Sequence, residues 1–270
     1  MRSYLNLAII LIIAAAIIAV IGILIHRTAR GIRENTTGTA SVSEAFVQQA
    51  PIPMETPVPV QETPAPASTE IANGLPPAPE ADVNDWSLRL VRIDHPLPED
   101  YQPELMEIER GEMFDARAAI HLKKLIEDAR AAGFEVFVCS CFRSYDTQHL
   151  IYWNHVEEYM RDEGLTQEEA EAKTRIAVNY PGASEHQLGL AADLLEFQGQ
   201  DMEPYIGGSG LMLWLEEHCA DYGFVIRYPE NKTEITGIEY EPWHLRYVGT
   251  CAWYLMENDL CLEEFLALYE

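Results

Sequence analysis

Two of the eight histidines in the 270-residue sequence stand among side chains able to complete a reactive site. His186 lies in Ser184-Glu-His-Gln-Leu-Gly-Leu-Ala-Ala-Asp193, and His244 in Glu241-Pro-Trp-His-Leu-Arg-Tyr247. A catalytic zinc takes three protein ligands from His, Asp, Glu or Cys and keeps one position for water. His186, Asp193 and His244 supply such a set. Glu241 is then a carboxylate outside the set, suited to accept a proton from an activated water. His26, His95, His121, His149, His155 and His218 lack acidic partners at telling spacing and read as exposed or core histidines. Spacing alone leaves a core reading of His186 and His244 open as well.

These residues need elements to hold them. A short turn at Gly189 followed by a strand over Leu190–Leu195 lets His186 and Asp193 converge. Glu241 and His244 are three apart, which on a regular strand puts them on opposite faces. Pro242 is expected to break that regularity, so that Glu241 precedes the strand beginning at Trp243 and still faces the metal. Helical spacing predicts a helix over Met113–Ala132, closed by Gly133. Glu135–Ser140 reads as a buried strand. Asp146 is the expected N-cap of a helix running toward Met160, and Thr166 that of the next. A helix over Leu211–Tyr222 closes at Gly223 before a strand at Phe224–Tyr228, and two short helices, Thr250–Glu257 and Leu262–Leu268, end the chain. No internal repeat is visible. The mix predicts α+β, a small, mostly antiparallel sheet flanked by helices.

The ordered motifs Ser-x-His-x-x-Gly-x-Ala-x-Asp and, about 50 residues later, Glu-Pro-Trp-His-x-Arg-Tyr resemble those of the VanY-like zinc D-alanyl-D-alanine carboxypeptidases. Ser140-Cys-Phe-Arg-Ser144 resembles the family's Ser-Gly-Tyr-Arg-Ser turn, with Gln148 five residues beyond the arginine. Tyr222-Gly-Phe-Val-Ile-Arg-Tyr-Pro and Thr236-Gly237 extend the likeness over roughly residues 100–268. Cys141 and Phe142 depart from the usual Gly and Tyr, which puts in question how that turn presents Arg143. The resemblance implies a hedgehog-like α+β fold, one zinc per chain on His186, Asp193 and His244, and Glu241 as general base. It implies hydrolysis of the C-terminal peptide bond in peptidoglycan stem peptides. Arg143 suits a substrate carboxylate, which a planar guanidinium grips with two hydrogen bonds, or the oxyanion. Ser184 and Gln148 would add neutral donors. Rival readings are an L,D-carboxypeptidase or an endopeptidase of the same family, and a catalytically inert wall-binding module. Retention of Glu241 argues against the last.

Leu7–Ile25 is a run of 19 residues, apolar apart from Gly22, about 28 Å as a helix and close to the thickness of a bilayer core. We therefore expect an anchor over 1–26; a cleaved signal peptide is the alternative. Arg27, Arg30 and Arg33 favour a cytoplasmic C-terminal side by the positive-inside rule. The chemistry overrules this, because D-Ala-containing stems lie outside the membrane. The expectation is a single-pass membrane protein with its catalytic domain on the cell-wall side. Residues 27–85 read as a Pro/Thr/Glu-rich, PPII-like spacer, and 86–270 as the catalytic domain. A net charge of -26, from 18 basic and 44 acidic residues, excludes a nucleic-acid partner, which needs a basic face. The five cysteines permit disulfides outside the cell, Cys219 with Cys251 or Cys261 being the candidate pairs, or are small buried hydrophobes.

Overall fold

The structure is a computed structural model and describes residues 75–270. The expected anchor and most of the spacer lie outside the described residues. Among the described residues, no helix is long and apolar enough to cross a membrane.

The sheet that carries the site contains β3 (Phe137–Ser140), β4 (Ala191–Leu195), β5 (Phe224–Tyr228) and β6 (Glu241–Tyr247). Its spatial order is β3-β4-β6-β5, with all neighbours antiparallel. The two central strands therefore lie side by side, and β4 is buried at every position. Side chains alternate across a strand. Trp243, Leu245 and Tyr247 enter the main core, which leaves His244 and Arg246 on the other face.

A hairpin precedes this sheet, β1 (Leu105–Glu109) against β2 (Glu112–Asp115). The helix expected to start at Met113 begins only at Ala119, as α1 (Ala119–Ala131). Arg110 and Gly111 both take positive φ, which makes a tight turn and returns the chain as a strand. Asp115 then ends that strand, its carboxylate accepting from the Arg117 amide. The helical spacing is real in α1, whose Ala119, Leu122, Leu125, Ile126 and Ala129 are all buried.

A helical hairpin, α2 (Tyr145–Asp162) and α3 (Gln167–Ala177), packs around Tyr152, Val156 and Ala170. Ser144, not Asp146, is the N-cap of α2, its hydroxyl accepting from the Thr147 amide. Asp146 lies inside the first turn, where a carboxylate favours the positive helix end. Thr166 caps α3 as expected, in a reciprocal box with Glu169. The one-turn α4 (Glu185–Leu188) follows, and α5 (Gly210–His218) continues as a 3-10 turn through Tyr222 to Gly223. After β5 come α6 (Thr233–Thr236), then α7 (Ala252–Glu257) and α8 (Leu262–Ala267) beyond β6. The last part of the Pro-rich spacer lies on these terminal helices, with Tyr254 and Tyr269 donating to the carbonyls of Pro76 and Pro79.

All five cysteines are free, so neither candidate disulfide forms. Cys141, Cys219, Cys251 and Cys261 are buried and behave as small apolar side chains.

Candidate metal centre and active site

Asp193 and His244 are direct cross-strand partners on β4 and β6. Opposed side chains on one face stand about 5 Å apart at Cβ, close enough to share an ion. His186 reaches them from α4. Gly189 ends that turn at a φ of 80° and sends the chain back as β4. A Cβ there would lie 2.9 Å from the Pro103 ring, so both conformation and space require glycine. The three side chains are buried, and their ligand atoms lie within 4.8 Å of one another.

The hydrogen bonds say which atoms are free. His186 Nδ1 lies 2.6 Å from the Cys141 carbonyl, which only accepts, so Nδ1 carries the proton. The Nε2 lone pair is then left 3.2 Å from Asp193 Oδ2. Burial, then Arg143, push the imidazolium down to about 4, against the pull of Asp193. At neutral pH a lone pair would thus face a carboxylate, an arrangement that a cation between them resolves. His244 Nδ1 lies 3.1 Å from Asp193 Oδ1. Burial alone would lower His244, but the carboxylates of Asp193 and Glu185 outweigh it and raise it to about 9. The two imidazole rings stand perpendicular, 4.9 Å apart. Two nitrogens and one carboxylate, buried and converging, fit zinc.

Glu241 opens β6, and its Oε2 lies 3.5 Å from His244 Nδ1. Simple alternation would send it to the core face with Trp243. The pairing of β5 with β6 slips here, Ile226 opposing Leu245 while Tyr228 opposes Glu241. Two steps along β5 thus match four along β6, and this bulge re-aims the carboxylate. The expected irregularity at Pro242 is present, but inside the strand, which begins at Glu241. Burial pushes the Glu241 carboxyl up to about 8, with His244 and Arg143 drawing it down; a divalent cation beside it pulls it down further.

Arg143 borders the same cluster, its Nη2 3.9 Å from Asp193 Oδ2 and its side chain one-fifth exposed. At Cys141 and Phe142, where the motif departs from the usual Gly and Tyr, the turn is held through its backbone. The Cys141 carbonyl holds His186, the Phe142 amide donates to Met113, and the Arg143 amide donates to the His186 carbonyl. Ser184 is buried two residues before His186, with its hydroxyl unpaired. Gln148 is also buried, but its amide nitrogen donates to the Asn179 carbonyl at 2.6 Å, so one of its two N–H groups is already engaged.

Sequence reasoning passed over Glu185, a fully buried carboxylate beside the first ligand. Its Oε1 accepts from Arg227 Nε at 2.7 Å and Arg246 Nη1 at 2.6 Å, both arginines being buried. The signal was available. Phe-Val-Ile-Arg-Tyr and Trp-His-Leu-Arg-Tyr each place one arginine in a buried strand, and buried cations require a buried anion.

The family model of the VanY D-alanyl-D-alanine carboxypeptidases matches residues 111–250. A D-alanyl-D-alanine carboxypeptidase of Enterococcus faecalis is 40% identical over 188 residues, 69% of this chain and 68% of the relative. The structure of VanYB in complex with D-alanine-D-alanine is 40% identical, covers 69% of this chain and 100% of that one, and gives a TM-score of 0.63. A variant of the vancomycin-resistance D,D-pentapeptidase VanY, in complex with Zn(II), gives 0.61 at 40% identity, over 67% of this chain and 99% of that one. The LD-carboxypeptidase LdcB gives 0.58 at 35% identity, over 73% and 92%. The fold and the metal centre are those of a zinc peptidase. The chain belongs to the VanY D-alanyl-D-alanine carboxypeptidase family.

Proposed function

We propose that this chain is a zinc-dependent D,D-carboxypeptidase that removes the C-terminal D-Ala from peptidoglycan stem peptides. The observation that carries the reading is the convergence of His186, Asp193 and His244 with Glu241 3.5 Å from the last of them. His186 through Nε2, Asp193, and His244 through Nδ1 would hold one zinc per chain. Zinc at that position supplies Lewis acidity toward the scissile carbonyl and brings the pKa of a water toward neutrality. Glu241 takes the proton of the attacking water and returns it to the leaving D-Ala amine. Arg143 points its guanidinium toward the same cluster, where it can bind the substrate's free carboxylate or the developing oxyanion. The unpaired Ser184 hydroxyl is a further donor. Gln148 has one N–H left for such a role.

The stem peptide lies outside the membrane, and the apolar run at 7–25 with its Pro-rich spacer suits a domain tethered to the cell surface with reach into the wall. The proposal therefore includes a single-pass anchor and an outward-facing catalytic domain. Protease added to intact cells should release the domain; protection until lysis would refute this topology.

The catalytic test is to incubate the zinc-loaded 270-residue chain, in detergent, with defined tri-, tetra- and pentapeptide stems and identify products by mass spectrometry. Release of D-Ala from the pentapeptide is expected. Release only from the tetrapeptide would make it an L,D-enzyme, in line with the likeness to LdcB. Binding without cleavage of any stem would make it an inert wall-binding module.

A further inference from the structure

We propose that Glu185 is the positioning residue of the metal centre, fixing the tautomer and orientation of His244 from the side opposite the ion; this rests on the zinc reading above. The geometry is specific. Asp193 and Glu241 both face Nδ1 of His244, at 3.1 and 3.5 Å. Glu185 Oε2 lies on the far side of the ring, 3.8 Å from Nε2. Both of these atoms are buried and neither has a hydrogen-bond partner, their separation being a few tenths of an ångström beyond hydrogen-bond reach. Two unpaired buried polar atoms that face each other are costly apart and satisfied together. A slight approach of the two would let Nε2 donate to Oε2, which would place the imidazole proton on Nε2 and leave Nδ1 as a lone pair aimed at Asp193 and the proposed ion. The second histidine is fixed in the opposite sense, since His186 Nδ1 donates to the Cys141 carbonyl and frees Nε2. On this reading the two rings would ligate through different nitrogens, each tautomer being set by a partner behind it.

Glu185 is itself held immobile and charged. Its Oε1 takes both arginine contacts, which leaves Oε2 for His244. Arg227 also grips Glu263 of α8 with Nη1 and Nη2, at 2.9 and 2.7 Å. Arg246 donates through Nη2 to the carbonyls of Ser87 and Arg89, both at 2.9 Å. A carboxylate fixed by two guanidiniums, each anchored elsewhere, is a rigid backstop for the ring. Glu185 touches neither substrate nor the proposed ion; it acts through His244.

The test has two arms, both on the 270-residue chain. In the first, wild-type protein with 15N-labelled histidine is loaded with zinc, and long-range proton–nitrogen spectra assign each ring. His244 is expected to carry its proton on Nε2 and the metal on Nδ1, with His186 the reverse. Metal on His244 Nε2 would overturn the proposal. In the second, zinc affinity is measured by competition with a chelator for Glu185→Gln and Glu263→Gln. Loss of Glu185 should lower zinc affinity by about 10–100-fold, the usual cost of removing such a partner. Glu263→Gln breaks the same ion-pair network without touching His244, so it should lower the thermal midpoint and leave zinc affinity unchanged. Equal affinity in wild type and Glu185→Gln, or equal losses in the two variants, would overturn the positioning role. If Glu185→Gln does not fold, the wild-type spectrum decides. Wild type that takes up no zinc refutes the zinc reading and this proposal with it, whereas a zinc-loaded wild type with an indifferent Glu185 variant refutes this proposal alone.

Discussion

Glu241 and Arg143 both border the metal cluster without belonging to the ligand set, and their chemistry differs in kind. Glu241 is placed to carry a proton, so its exchange for glutamine keeps size and hydrogen bonding and removes only basicity. Zinc content and thermal midpoint of Glu241→Gln should match wild type, while single-turnover D-Ala release should drop by at least about 100-fold. Zinc loss in that variant would make Glu241 a ligand. Arg143 is placed to bind charge. Arg143→Ala should weaken transition-state binding of a free-carboxylate stem by about 2–5 kcal/mol if the pair it makes is buried. Arg143→Lys should recover part of that, since it keeps the charge and loses the two-pronged contact. Equal turnover of acid and amide termini by wild type would remove Arg143 from carboxylate recognition and point to an endopeptidase. The cysteines make a separate residue-scale case. Burial pushes the Cys219 thiol up to about 12 and Cys261 likewise. A thiol reagent at neutral pH should therefore modify half-buried Cys139 first, and all five thiols should appear on unfolding without reductant. Fewer than five would mean a disulfide exists.

At the scale of elements, the site depends on two backbone irregularities. One is the left-handed turn at Gly189 between α4 and β4. Gly189→Ala adds a Cβ at positive φ and 2.9 Å from Pro103. The strain should cost about 1–3 kcal/mol, read from the denaturant midpoint. It should also weaken zinc binding, because His186 is three residues away on the displaced turn. A variant with wild-type stability and zinc affinity would show the turn to be tolerant. The other irregularity is the slip of β6 against β5, which turns Glu241 from the core face toward His244. The sheet and α1 provide the rigid support. Leu122 and Leu125 are fully buried on α1, each contributing about 1.5–3 kcal/mol.

For the molecule as a whole, buried and half-buried ion pairs couple stability to pH. Arg130 holds Glu109 below the usual carboxylate range by hydrogen bonding. Burial would raise Glu185, but Arg227 and Arg246 outweigh it and hold it far below that range. For a carboxyl depressed in the folded state, the stabilisation is complete above the unfolded pKa of about 4.3 and is lost as pH falls below it toward the folded value. Thermal midpoints should therefore fall as pH is lowered through 4 and below. A midpoint that rises on acidification there would contradict the ion-pair account. The charge of -26 acts in the other direction near neutrality, because self-repulsion is strongest where every carboxylate is ionised.

The sequence alone pointed to His186, Asp193, His244 and Glu241, through the resemblance of their ordered motifs to a zinc peptidase family, where spacing by itself leaves a core reading open. It also determined the Thr166 cap, the glycine stops and the cores of β4, β5 and β6, where local pattern and burial agree. It misplaced the start of α1, since the apolar spacing of Met113 and Phe114 suits either a strand or a helix and only the Arg110-Gly111 turn decides between them. It put the α2 cap at Asp146, where Ser144 two residues earlier does the work. Tertiary structure alone decided what sits behind the site. Glu185, Arg227, Arg246 and Glu263 are far apart in the chain, and their mutual neutralisation follows from strand order and the docking of α8. Folding likewise brought the Cys141 carbonyl to Nδ1 of His186 and so freed Nε2, because a tautomer depends on the partner that reaches the other side of the ring.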